Sequence, residues 1–361
     1  MSDNARRYRS IRNGLKSIYP SEPKGNLARH LNTLAAMISG IVGGKSSNLS
    51  SVSSKVADNT KPESRVKRYS RWIANERVDY DTYYLPYVNA LVESLLHQSL
   101  VVIFDGSVTA RGCVTLMASV LYKGRALPLA WITRSGTKGH FPECLHLELL
   151  KQVRAIIPDS AKVIFLGDGE FDGMDLTKQI EKYNWQYVCR TAVNRIFHEN
   201  GEPFSLQNID VGRSEYFSIP NVYASDSTYG PYHAIVWWEK GYQDPIYLIT
   251  NFELPHEAFY WYKRRFRIET FFSDQKSRGF HLDKSHISDP ERVQRLMIAT
   301  CLAYIWIVFL GALAMKNQWN KIIHRTDRCD LSLFQMGLRL LEHLLNKEKN
   351  IPVAFQMDLF D

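Results

Sequence analysis

Apolar positions recur at helical spacing at both ends of this chain and form short, nearly continuous runs in its middle. Before about residue 75, Leu31, Leu34, Met37 and Ile38 trace one helix face. A Gly/Ser-rich stretch from Gly43 to Ser54 interrupts that region and reads as a flexible loop or linker. It lacks the Gly-x4-Gly-Lys-Ser spacing of a nucleotide-binding loop, since Gly40 stands only three positions before Gly43. From residue 100 the pattern changes. Leu100 to Phe104 is an unbroken apolar run, the mark of a strand covered on both faces. Cys113–Tyr122 and Ala126–Ile132 follow as two more strands around a Lys123-Gly124-Arg125 hairpin turn. A helix is expected over 142–157, then strand Val163–Leu166, a helix through Leu176 and Ile180, and strand Tyr187–Cys189. Three strands, then alternating helix and strand, predict an α/β sheet with parallel members at the crossovers.

Residues 193–251 break this rhythm with aromatic, β-branched and turn-forming residues, and read as an antiparallel β-rich insertion. Helices resume near Pro255 and run to about Lys316, and Leu333, Met336, Leu340, Leu341 and Leu344 outline a last amphipathic helix. The expected layout is therefore a helical segment 1–75, a core in two parts, 76–192 and 252–316, split by the insertion 193–251, and a helical segment 317–361.

Charge sharpens the reading of the first segment. Residues 1–72 hold fourteen Lys and Arg against four Asp and Glu, a net +10, so the other 289 residues carry −2 of the total +8. Basicity concentrated at one end points to a polyanion, nucleic acid first, and marks 1–75 as a DNA-binding domain. The five cysteines form no C-x-x-C pair, which argues against a disulfide framework or zinc knuckle and fits a reducing cytoplasm. No signal peptide opens the chain. Leu296–Ala314 carries no charge and is long enough to cross a membrane; a helix enclosed within a large domain gives the same pattern.

Two of the buried runs lead into an acid flanked by glycine, Phe104-Asp105-Gly106 and Gly167-Asp168-Gly169. In sheets with helical crossovers, sites form just past the carboxyl ends of the strands. An Asp there can meet a metal ion, and the adjacent Gly leaves room for a ligand. Asp172 and Asp175 lie close by, but Asp168 directly ends its strand. A third acid comes from the segment Tyr262 to Lys276. Wound as one helix at about 100° per residue, it gathers Tyr262, Arg265, Glu269 and Lys276 within an arc of about 60°. Trp261, Ile268 and Phe272 then form a neighbouring stripe that can dock on the sheet.

The spacing Tyr262-x2-Arg265-x3-Glu269-x6-Lys276 resembles the Y-R-E-K signature of the insertion-sequence-four branch of bacterial DDE transposases. Gly279-Phe280-His281, the apolar helix after Arg295 and the β-rich insertion resemble that family too, over roughly residues 60–316. The resemblance implies an RNase H-like core in which Asp105, Asp168 and Glu269 hold two Mg²⁺ or Mn²⁺ ions, hard cations suited to oxygen ligands. Asp105 would bridge the ions, one activating a water or 3′-hydroxyl and the other stabilising the leaving oxygen. It also implies double-stranded DNA as partner, both terminal inverted repeats and target, a homodimer on paired ends, and a hairpin intermediate in which a base leaves the stack. Tyr262, Arg265 and Lys276 are then the DNA contacts, with Trp237 or Trp238 as stacking surface and His140 and His281 as possible helpers. The amphipathic C-terminal helix is a candidate dimer surface, and the bacterial cytoplasm, at the nucleoid, is the expected location. Two other readings predict different behaviour. An RNase H-like endonuclease would cut without joining, and a domesticated DNA-binding regulator would do neither.

Overall fold

A computed structural model of the chain describes residues 1–58, 60–137, 141–224 and 229–357. Six helices come first: α1 (Asp3–Ile18), α2 (Gly25–Gly44), α3 (Leu49–Ser54), α4 (Pro62–Ala74), α5 (Tyr80–Tyr83) and α6 (Leu85–Glu93). Strands β1 (Leu100–Ala110), β2 (Cys113–Tyr122) and β3 (Arg125–Ser135) form an antiparallel meander. Lys123 and Gly124 turn the β2–β3 hairpin, both at positive φ. Then come α7 (Glu143–Ile156), β4 (Val163–Gly167), α8 (Met174–Lys182) and β5 (Gln186–Arg190). β4 lies parallel to both β1 and β5, as the two helical crossovers require.

The remaining strands are β6 (Ile196–Glu199), β7 (Glu202–Ser205), β8 (Tyr216–Ala224), β9 (Tyr229–Trp237) and β10 (Ile246–Thr250). They pair antiparallel and join the same sheet where β10 pairs with β5. The result is one ten-stranded sheet in the order β3-β2-β1-β4-β5-β10-β9-β8-β6-β7. Helices α9 (Pro255–Tyr262), α10 (Arg267–Gln275), α11 (Pro290–Lys316), α12 (Asn320–Ile323) and α13 (Leu333–Asn346) complete this mixed α/β fold.

The long helix α11 is the centre of the helical layer. Its most apolar window is 94% buried by α2, α4, α13 and β3, so here the uncharged stretch is a core helix. α13 crosses it at backbone contact. A Cβ on Gly337 would stand 1.8 Å from the Ile307 carbonyl oxygen, and one on Gly311 1.9 Å from that of Leu333. The apolar face of α13, expected as a dimer surface, is thus closed against its own chain, with Phe334, Met336, Leu340, Leu341 and Leu344 buried.

The N-terminal segment also departs from expectation. Its Gly/Ser-rich stretch is not a linker: α2 continues through Gly44, and the Asn48 side chain caps α3. The small residues are there for close packing, since a Cβ on Gly40 would meet the Val52 carbonyl oxygen at 2.4 Å. Several of the cations point inward. Arg7 is 4% exposed and donates to the Ser39 carbonyl, Arg6 to that of Leu345, and Arg65 to that of Val56 while pairing with Asp58. Others, including Arg9, Lys24, Arg29, Lys61, Lys67 and Arg71, face solvent. α2 and α4 share one apolar core with α11.

Candidate active site

The two aspartates reach one place by register. The last parallel pair between β1 and β4 is Ile103 with Leu166, and Asp105 and Asp168 each stand two residues beyond it. Asp168 directly follows its strand, as expected. Asp105 does not end β1. The strand continues to Ala110 on the strength of its antiparallel bonds to β2, with Asp105 opposite Met117. One edge of β1 is thereby freed at the aspartate, where β4 has stopped.

Each aspartate is held by backbone. The Gly106 N–H donates to Asp105 Oδ1 at 2.8 Å, and the Glu170 N–H donates to Asp168 Oδ1 at 2.9 Å. Burial first, and the charge of Asp168 second, push the Asp105 carboxyl up to about 7. Arg265 and the Gly106 N–H act against that rise, and Glu269 adds to it. The flanking glycines have steric duties that the sequence concealed. A Cβ on Gly106 would meet the Phe141 ring at 2.8 Å, and one on Gly167 the Cβ of Phe171 at 2.5 Å; only Gly169 faces open space.

The signature segment is not one helix. α9 ends at Tyr262, and residues 263–266 form tight turns with i to i+3 bonds, such as Arg265 N–H to the Tyr262 carbonyl and Glu269 N–H to that of Phe266. α10 begins at Arg267, and Lys276 lies just past its end, with ψ −114°. The single-helix projection therefore fails, and packing has to bring the four residues together. Tyr262 is 2% exposed, beneath the Arg265 guanidinium, which lies 5.8 Å from its ring centroid and 4.4 Å from that of Phe266. Burial raises the Tyr262 phenol, opposed by Arg265 and Arg190. Arg265, itself 7% exposed, reaches Glu269 at 3.7 Å. Lys276 turns to β1, donating to Ser107 Oγ at 2.6 Å and to the Val108 carbonyl at 2.9 Å.

Register thus sets Asp105 and Asp168 at one depth of the sheet, and the charge of Glu269, in the first turn of α10 and paired with Arg265, is felt at Asp105. Among the described residues no three His, Cys, Asp or Glu side chains are close enough to share one ion. Three mutually repelling carboxylates need compensation, and Glu269 has it in Arg265. Asp172 is committed elsewhere, accepting from Thr191 Oγ1 and Arg195, which leaves Asp168 as the acid of that loop facing Asp105.

The aromatic assignments divide. Trp237 is 5% exposed and stacked on Phe259 at 4.5 Å, so it has no ring face for a base. Trp238 is half-buried, donates to the Tyr242 carbonyl and carries Arg213 over its ring. His281 takes φ 51° to end the turn after Lys276, and Gly279 before it must be glycine, its Cβ position lying 2.0 Å from the Asp274 carbonyl oxygen. His140 lies outside the described residues. Two features were missed in the sequence. Arg190, at the carboxyl end of β5, is an exposed cation whose charge reaches Tyr262. Glu170, two residues after Asp168, takes the Phe141 N–H and His146 Nε2 and so ties the Asp168 loop to the start of α7. The second was within reach, because an acid two residues past a strand-terminal Asp is a visible pattern.

Residues 104–306 match the family model for the transposase DDE domain. This chain belongs to the DDE transposase family. The match spans β1 through most of α11 and takes in Asp105, Asp168 and Glu269. The DDE transposase is thus an enzyme of DNA cleavage and strand transfer, and enzymes of this family use divalent metals. No curated protein matches the chain. Among solved structures, a piggyBac transposase synaptic complex with hairpin DNA is similar at 12% identity and a TM-score of 0.46, over 95% of this chain and 79% of that one. Human ENDOV is similar at 13% identity and a TM-score of 0.23, over 64% of this chain and 95% of that one. Both likenesses are too loose to define the fold.

The donor set fits a divalent cation. It consists of carboxylate oxygens, the ligands of hard ions, and burial beside Asp168 disfavours the charged form of Asp105, a penalty that a bound cation would relieve.

Proposed function

We propose that this enzyme is the cut-and-paste transposase of a bacterial insertion sequence, in the insertion-sequence-four branch, with Asp105, Asp168 and Glu269 as its catalytic acids. The observation that carries the reading is the common depth of Asp105 and Asp168 on adjacent parallel strands, with the charge of Glu269 felt at Asp105. The order β3-β2-β1-β4-β5, with one antiparallel meander and two parallel pairs, supports an RNase H-like core. The strands from β6 to β10 are then the insertion between the second Asp and the Glu.

Two Mg²⁺ or Mn²⁺ ions, when bound by the three carboxylates, would activate a water or 3′-hydroxyl and stabilise the leaving oxygen. The chain's own groups orient the DNA. Arg265, held between Tyr262, Phe266 and Glu269, presents a fixed guanidinium to a phosphate beside the acids. Lys276 serves the same backbone from the β1 side, and Tyr262 supports Arg265 from below. Trp238 is the better placed of the two tryptophans to receive an unstacked base if ends pass through a hairpin. The exposed cations of α1, α2 and α4 bind the terminal inverted repeats, and two copies act on paired ends in the cytoplasm.

The test uses duplexes carrying the element's own ends, with Mn²⁺ and a target plasmid. Asp105→Asn, Asp168→Asn and Glu269→Gln should each bind ends with wild-type affinity and lose cleavage by at least about a thousandfold. Cleavage at the wild-type rate removes that residue from the site. Wild-type enzyme that cuts ends but never joins them would favour the endonuclease reading.

A further inference from the structure

The last two residues of α10 and the one after them fasten that helix to three different elements. Asp274 Oδ2 accepts from Arg125 Nη1, the first residue of β3, at 3.0 Å. Gln275 Nε2 donates to the Thr300 carbonyl of α11 at 3.2 Å. Lys276 Nζ holds Ser107 and Val108 on β1, two and three residues beyond Asp105. The grip is enclosed: Asp274 is 5% and Gln275 2% exposed. Glu269 lies five residues before Asp274, roughly 7.5 Å along the axis, at the open end of the helix. Its one ion-pair partner among the described residues is Arg265.

An enclosed ion pair is a poor source of stability, because a well-packed apolar pair of similar volume does as well or better. It does impose direction, since guanidinium and carboxylate must meet in line. Arg125 stands directly after the β2–β3 turn, and β2 pairs with β1 opposite Asp105 itself. Asp105 and Glu269 are therefore referred to one frame through β1, β2, Arg125 and Asp274. We propose that Arg125 and Asp274 are positioning residues, setting the rotation and depth of α10 so that the Glu269 carboxylate faces Asp105 and Asp168. This rests on Glu269 being the third catalytic acid.

The full chain bound to its end DNA is the material for the test. The central variant is Arg125→Met/Asp274→Leu, which keeps volume and removes the direction. Thermal unfolding, end-DNA affinity, Mn²⁺ binding by the loss of free-ion EPR signal, and cleavage are measured together, with Glu269→Gln alongside. The expected result is wild-type unfolding and DNA affinity, a Mn²⁺ midpoint raised about tenfold, and cleavage lowered at least about tenfold; Glu269→Gln shows the same metal defect. Should the double variant not fold, Asp274→Asn is read in the same way. Wild-type Mn²⁺ titration and cleavage in the double variant, with Glu269→Gln defective, overturn the role of the pair alone. Wild-type behaviour of Glu269→Gln overturns the assignment of Glu269, and this proposal with it.

Discussion

Asp105 should destabilise the metal-free protein, in a pH window that its own carboxyl defines. The acid moves from an ordinary 3.8 in the unfolded chain to about 7 in the fold. Below pH 3.8 both states are protonated and nothing is lost. Between 3.8 and 7 the folded state binds more proton than the unfolded one, so stability falls as pH rises, and above 7 the whole penalty is present. A shift of that size corresponds to at most ~4 kcal/mol, and the partial exposure of Asp105 reduces the expectation to about 2 kcal/mol. Asp105→Asn keeps an oxygen for the Gly106 N–H and removes the charge. In EDTA at pH 8.5 it should be the more stable protein by about 2 kcal/mol, roughly 3 °C in Tm for a chain of this length. At pH 4 the two proteins should melt together. Adding Mn²⁺ at pH 8.5 should raise the Tm of the wild type and leave the variant nearly unmoved. Melting curves from pH 4 to 9 decide the matter. A difference that does not grow with pH, or a variant less stable at pH 8.5, would refute the account of Asp105 as a strained carboxylate awaiting a cation.

Three further outcomes follow from other parts of the fold. Gly337→Ala places a methyl group 1.8 Å from the Ile307 carbonyl oxygen and must separate two backbones, so it should cost more than the roughly 1–3 kcal/mol of ordinary overpacking in a denaturant titration. Trp237→Ala removes a buried ring stacked on Phe259 and should cost about 3–5 kcal/mol; DNA binding measured well below its Tm should be retained, in contrast to a base-stacking residue. Arg190→Ala should weaken end binding and lower the salt slope of the binding constant by about one, the effect of one lost phosphate contact, while leaving the Tm unchanged.

The reading from sequence succeeded where the signal is local. Continuous apolar runs become sheet strands β1 and β4 because a strand covered on both faces needs apolar side chains in both directions. The Lys123-Gly124 turn and the α7 and α8 crossovers follow from backbone preference and spacing. The two aspartates were legible because they sit where those runs stop. The reading failed where the deciding contact is distant. Taking Tyr262 to Lys276 as one helix ignored the i to i+3 bonds of residues 263–266. The burial of Trp237 depends on Phe259, and the inward turn of Arg7 on the Ser39 carbonyl. The Gly/Ser stretch looked flexible because the close approach of Val52 to Gly40 has no trace in composition.

The order of elements, the acids that follow the two apolar runs and the presence of an Arg four residues before a Glu were determined by the chain alone, since each rests on neighbours in sequence. The raised carboxyl of Asp105, the pairing of Arg265 with Glu269, and the fastening of α10 by Arg125 were decided only in three dimensions. Those properties come from desolvation and from charges brought near by packing, and neither quantity is set until the folded chain excludes water from these groups and fixes their separations.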